Sequence, residues 1–135
     1  MKVRMNLVAI VLSLLLVFPF CTVSARIIYV AQDATGDGNG TSWDHAFTTI
    51  TAGLTASASG DELWIKAAQY METVTLREGA GLYGGFLGSE SERDQRDWAA
   101  NETVIDATGL GGSAVIGADY ATLDGFTVTG GHGEH

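Results

Sequence analysis

The chain has 135 residues, a formal net charge of −9 and one cysteine. An acid surplus of this size repels nucleic acid and anionic lipid, so no nucleic-acid partner is expected; its ordinary role is solubility, although calcium or neutral glycans are compatible with it. A single cysteine rules out a disulfide framework within the chain.

Lys2 and Arg4 precede an apolar run over residues 7–20, broken only by Ser13 and Pro19, and then comes the small-residue stretch Val23-Ser24-Ala25. Positive start, apolar middle and small-residue end are the order of a secretory signal. Residues 1–25 are therefore expected to be a signal peptide cut after Ala25, the alternative being a retained N-terminal anchor. The apolar run falls short of the roughly 20 residues of a membrane span, so no span is expected after cleavage. Phe18-Pro19-Phe20 ahead of Cys21 lacks the small residues of a lipid-attachment site. Cleavage would remove that cysteine, and the loss of Lys2 and Arg4 takes the formal charge from −9 to −11.

Residues 26–60 read as an N-terminal unit of strand, loop and helix. Ile27-Ile28-Tyr29-Val30 is a β-branched and aromatic run. The loop over residues 33–42 is dominated by glycine, aspartate and asparagine. Trp43, Phe47, Ile50, Leu54 and Ala58 then recur at helical spacing, predicting an amphipathic helix of about four turns, capped by Thr41 or Ser42 and ended by Gly60.

Over residues 61–135 the helical period is gone. Leu63-Trp64-Ile65, Thr73-Val74-Thr75-Leu76, Gly81-Leu82-Tyr83, Thr103-Val104-Ile105, Ala114-Val115-Ile116 and the run over residues 122–128 are short strands. No helices separate them to serve as crossovers, and two-residue hairpin loops are scarce. Leu82-Tyr83-Gly84-Gly85-Phe86 is echoed by Leu123-Asp124-Gly125-Phe126, and Trp64-Ile65-Lys66-Ala67 by Val104-Ile105-Asp106-Ala107, at separations of 41 and 40 residues. These echoes predict an all-β solenoid, a right-handed parallel β-helix closed at its N-terminal end by the capping helix. Its repeat would be interrupted by a charged insertion near residues 89–101. The sequence stops directly after a strand, so the β-helix is expected to be incomplete at its C-terminus, as in a fragment or truncated product, with an open edge at residues 122–128 prone to self-association.

Tyr29-Val30, Gly40-Thr41-Ser42-Trp43, Asp61-Glu62-Leu63-Trp64-Ile65, Leu82-Tyr83-Gly84-Gly85-Phe86, Arg93-Asp94-Gln95-Arg96-Asp97 and Leu123-Asp124-Gly125-Phe126-Thr127-Val128 together resemble the N-terminal part of bacterial right-handed parallel β-helix proteins with a pectate-lyase-like fold, polymorphic outer-membrane-like proteins included. The resemblance implies a secreted or outer-surface location and a longer chain. It is specific for architecture and says little of activity.

Asp33, Asp37, Asn39 and Asp44 offer the oxygen ligands and flexible backbone of a calcium site, without the spacing of the helix-loop-helix type. The same residues also suit an ion-free turn. Arg93 and Arg96 could grip a sugar carboxylate bidentately, or belong to a solvated mixed-charge surface. Trp98 is the aromatic freest to stack on a sugar ring. Asp106 and Asp124 could be neighbouring acids of a lyase, or corner residues. His45, His132 and His135 receive no role, and no catalytic residue is assigned. The function read from these features is an exported or cell-surface module, structural, adhesive or glycan-contacting, with extracellular polysaccharide or cell-surface components as partners. Calcium is the one cofactor considered. The alternative is the leading fragment of a polysaccharide lyase or glycoside hydrolase.

Overall fold

The computed structural model describes residues 24–132. The expected signal peptide, apart from Ser24 and Ala25, lies outside them, as do Glu134 and His135. Among the described residues no helix is long and apolar enough to cross a membrane.

Among the described residues, short β-prone runs separated by glycine and acidic corners become nine strands: β1 (Ile27–Val30), β2 (Glu62–Lys66), β3 (Gln69–Tyr70), β4 (Val74–Thr75), β5 (Gly81–Phe86), β6 (Val104–Asp106), β7 (Val115–Ile116), β8 (Thr122–Asp124) and β9 (Thr127–Thr129). They pair in parallel in three sheets, β1-β2-β5-β8, β3-β6-β9 and β4-β7. From β2 onward the chain visits the three sheets in turn, so neighbours in a sheet are distant in sequence. One helix, α1 (Ile50–Ala56), lies between β1 and β2.

In the four-stranded sheet, register aligns Ile28 with Leu63, Leu63 with Leu82, and Leu82 with Leu123. Side chains alternate across a strand, so this aliphatic row shares one face. It meets Ile65, Tyr70, Val74, Ile105 and, from the helix, Ile50 and Leu54 in one buried cluster. Tyr70 is fully buried, and its hydroxyl donates to the Lys66 carbonyl at 2.8 Å. Burial is the main cause that holds this phenol well above the ordinary tyrosine range.

This arrangement corrects the expected class. An all-β chain in which a long helix merely caps a right-handed parallel β-helix is replaced, among the described residues, by a mixed arrangement, short strands in parallel sheets with an α-helix whose Ile50 and Leu54 belong to the strands' own core. The predicted helix over residues 43–58 is also too long. It starts only at Ile50, where Thr49 accepts from the Ala52 N–H at 3.1 Å and Glu72 accepts from the Ile50 and Thr51 N–H groups at 3.0 and 2.7 Å. It ends at Ser57, whose hydroxyl donates to the Leu54 carbonyl at 2.7 Å. Upstream, Phe47 is drawn into a parallel bridge with Val30, and Trp43 packs on Tyr29. Their helical spacing reflects two separate packing tasks.

One of the two echoes coincides with strand pairing. Leu82 pairs with Leu123, whereas Trp64 pairs with Tyr29 and Tyr83, and Val104 with Gln69 and Thr127. The second echo compared strands of two different sheets.

Ile105 and Val128 are register partners, one fully buried and the other 44% exposed. Ile105→Ala is expected to cost about 2–5 kcal/mol of unfolding free energy and Val128→Ala under about 1 kcal/mol. Urea denaturation of the two variants checks this; equal costs would contradict the core assignment.

Candidate functional site

The other face of the four-stranded sheet carries Tyr29, Trp64, Tyr83 and Asp124 in register. Exposed, this row would be a large aromatic patch. Trp43 covers its first end, edge-on to Tyr29 with centroids 4.8 Å apart, its indole N–H donating to the Glu90 carbonyl at 3.0 Å. Phe86 stacks on Trp64 at 5.0 Å with the planes 11° apart.

Phe86 reaches that position because β5 carries an extra residue: Trp64 pairs with Tyr83 but Lys66 with Phe86, which places a bulge at Gly84-Gly85. Gly85 sits at φ 95°, a conformation that costs other residues strain. Its N–H donates to the fully buried Thr103 hydroxyl at 2.8 Å. Its carbonyl accepts from the Asp97 N–H at 3.0 Å and the Asn101 side chain at 3.3 Å. The bulge thereby anchors the segment over residues 97–103, and with it Trp98.

Arg93 and Arg96 complete the cover. Both guanidiniums lie over the Tyr83 ring, 4.4 and 5.3 Å from its centre. Arg93 pairs with Glu62 at 2.5 Å. Arg96 pairs with Asp124 at 2.5 Å and donates to the Gly84 carbonyl at 2.9 Å. The charged insertion is therefore a strap closed over the sheet, and its two arginines are spent inside the chain rather than presented to a ligand carboxylate.

Trp98 is different. It is 61% exposed and stands at a groove of about 570 Å³, lined also by Leu123, Phe126, Glu102, Thr103, Asp124 and Thr127. An aromatic face, two apolar side chains, two carboxylates and the Thr127 hydroxyl thus meet along one groove, a mixture that suits a polar ligand with apolar faces.

The calcium candidates are dispersed over separate contacts. Asp33 pairs with the Lys66 ammonium at 2.7 Å, a bond that holds its carboxyl below the ordinary aspartate value. Asp44 lines the same small cavity of about 140 Å³ as Asp33 and Lys66. Asp37 takes its place beside His45, its N–H donating to Nδ1 at 2.9 Å. Asn39 closes a turn on Thr41, accepting from its N–H at 3.1 Å and its hydroxyl at 2.7 Å. Among the described residues no three metal-ligating side chains converge.

Asp106 and Asp124 lie in different sheets, Asp106 accepting from Gln69 at 2.7 Å and Asp124 from Arg96. Residue reading missed the roles of Gly84-Gly85 and Thr103. A glycine pair inside a strand run was the available signal for the bulge. The chain matches no known protein family, no curated protein and no solved structure with which it was compared, so the resemblance read from its motifs rests on those motifs alone.

A Cβ at Gly85 would meet the Trp98 Cα at 2.5 Å, whereas one at Gly109, also at positive φ, meets nothing within 4 Å. Gly109→Ala is expected to cost about 1 kcal/mol for backbone strain, and Gly85→Ala about 1–3 kcal/mol more for the displaced strap. Denaturant midpoints compare the two, and equal losses would argue against the bulge as the strap's anchor.

Proposed function

We propose that the chain is an exported, non-catalytic module that contacts neutral carbohydrate through the groove beside Trp98. The observation that carries this reading is the indole itself. Trp43 and Trp64 are packed into the aromatic row, while Trp98 keeps most of its surface open beside polar side chains. A large aromatic surface left in water is unfavourable until a ligand covers it, and the apolar faces of pyranose rings supply such a cover.

The electrostatics choose among sugars. Glu102 lines the groove with its charge uncompensated, and beside it Arg96 and Asp124 neutralise each other. A uronate would meet this acidic lining without a free cation to offset it, so neutral hydroxyl-rich chains fit and polygalacturonate does not. Thr127, whose hydroxyl donates to Glu102 at 3.0 Å, leaves that carboxylate further acceptor capacity for sugar hydroxyls.

Trp98 is the most exposed of the three tryptophans, which makes it a natural probe. Titrating the chain with a neutral β-glucan oligosaccharide is expected to quench and blue-shift its emission. Trp98→Ala should weaken binding at least about tenfold by calorimetry while leaving the denaturation midpoint nearly unchanged. Polygalacturonate should give no response. Binding that survives Trp98→Ala, or a preference for polygalacturonate, would sink this reading.

A further inference from the structure

Arg26 directly precedes β1 and is held to the start of β2. Its backbone N–H donates to Asp61 Oδ1 at 3.0 Å, and its carbonyl accepts from the Glu62 N–H at 2.9 Å. Its guanidinium donates to Asp61 Oδ2 at 2.8 Å and to the Ala56 carbonyl, the last of the helix, at 3.1 Å. Asp61 Oδ2 accepts in addition from the Ala58 N–H at 2.9 Å. Asp61 is only 2% exposed, whereas Ser24, Ala25 and Arg26 are exposed and Ser24 and Ala25 belong to no strand or helix.

Two independent observations thus meet at one bond. The small-residue pattern Val23-Ser24-Ala25 marks Ala25–Arg26 as the bond a signal-type endopeptidase would cut. The fold holds the nitrogen of that same bond on a buried carboxylate.

We propose that cleavage of the Ala25–Arg26 bond is itself a stabilising step, in which the new N-terminal ammonium of Arg26 forms an ion pair with buried Asp61. A signal-type endopeptidase adds water across the amide: the hydroxyl goes to the Ala25 carbonyl carbon, which leaves as a carboxylate on the leader. The C–N bond breaks, and the Arg26 nitrogen takes up protons to become an ammonium. A neutral amide donor at 3.0 Å from Asp61 is thereby replaced by a charged one at the same position, and charge-assisted hydrogen bonds are roughly twice as strong as neutral ones.

Asp61 is prepared for this. Burial pushes its carboxyl up, but the bonds from the Arg26 guanidinium and from the Ala58 and Arg26 N–H groups outweigh burial and keep it below the ordinary aspartate value. It is therefore ionised at neutral pH. Two cationic groups of one residue would then close on its two oxygens, joining the end of the helix, the start of β2 and the new chain terminus. This inference rests on the secretory reading of residues 1–25 and is independent of the carbohydrate groove.

The test uses the full chain, exported by a bacterial host with its own leader. Intact mass of the exported product should place its first residue at Arg26. Inserting one glycine between Ala25 and Arg26 moves the free ammonium off Asp61; this should lower Tm by about 4–8 °C, while the same insertion in an Asp61→Asn background should change Tm by less than about 2 °C. A product that starts at another residue, or an equal shift in both backgrounds, overturns the proposal. Should Asp61→Asn fail to fold, NMR titration of the exported product decides. The groups at the terminal amine are Asp61 and the Arg26 guanidinium, with Glu62 engaged by Arg93. The carboxylate contact should raise the amine above its ordinary value of about 7.7–8.0, and titration at or below that value counts against the ion pair.

Discussion

Parallel register in the four-stranded sheet is the constraint from which the rest follows. Once Ile28, Leu63, Leu82 and Leu123 stand in line on one face, Tyr29, Trp64, Tyr83 and Asp124 must stand in line on the other. The first row is satisfied by a core completed by α1 and the other two sheets. The second row is aromatic and would face water, so a second cover is required. Phe86, Arg93 and Arg96 answer that requirement.

The cover depends on a single extra residue in β5. By bulging at Gly84-Gly85 the strand turns Phe86 onto Trp64 and offers the Gly85 carbonyl as an anchor for Asp97 and Asn101. Arg93 and Arg96 then sit over Tyr83 with their charges balanced by Glu62 and Asp124. Such exposed pairs are individually weak, but here they are coupled to stacking on a ring and to a backbone carbonyl, which fixes their geometry. Trp98 is left outside because the cover is complete without it. That surplus is what makes it a ligand candidate rather than a packing residue.

Particular residues show how far the sequence could be read. The strand runs were legible because β-branched and aromatic clusters between glycine and acidic corners have few other uses. The pairing of Leu82 with Leu123 was visible as an echo, since both segments keep the glycine-aromatic turn that follows. The echo of Trp64 in Val104 misled because two strands of different sheets can share a pattern of apolar residues without sharing a neighbour. Helix length misled for a related reason: Phe47 follows Trp43 at helical spacing, yet β1 offers Phe47 a backbone partner and Tyr29 offers Trp43 a ring. Local periodicity is a weak preference that such tertiary contacts override.

Composition and residue order by themselves determined the acidic surplus, the basic, apolar and small-residue order over residues 1–25, the short strands and the turn-forming loop before Ser42. These depend on counts or on neighbours along the chain, which a sequence states outright. The tertiary structure alone decided that the helix belongs to the core, that Arg93 and Arg96 close on Tyr83, that Asp33 faces Lys66, and that Asp61 holds the nitrogen of Arg26. Each of these joins residues brought together only when strands distant in sequence fall into register, and no local preference encodes which distant partner a charged side chain will meet.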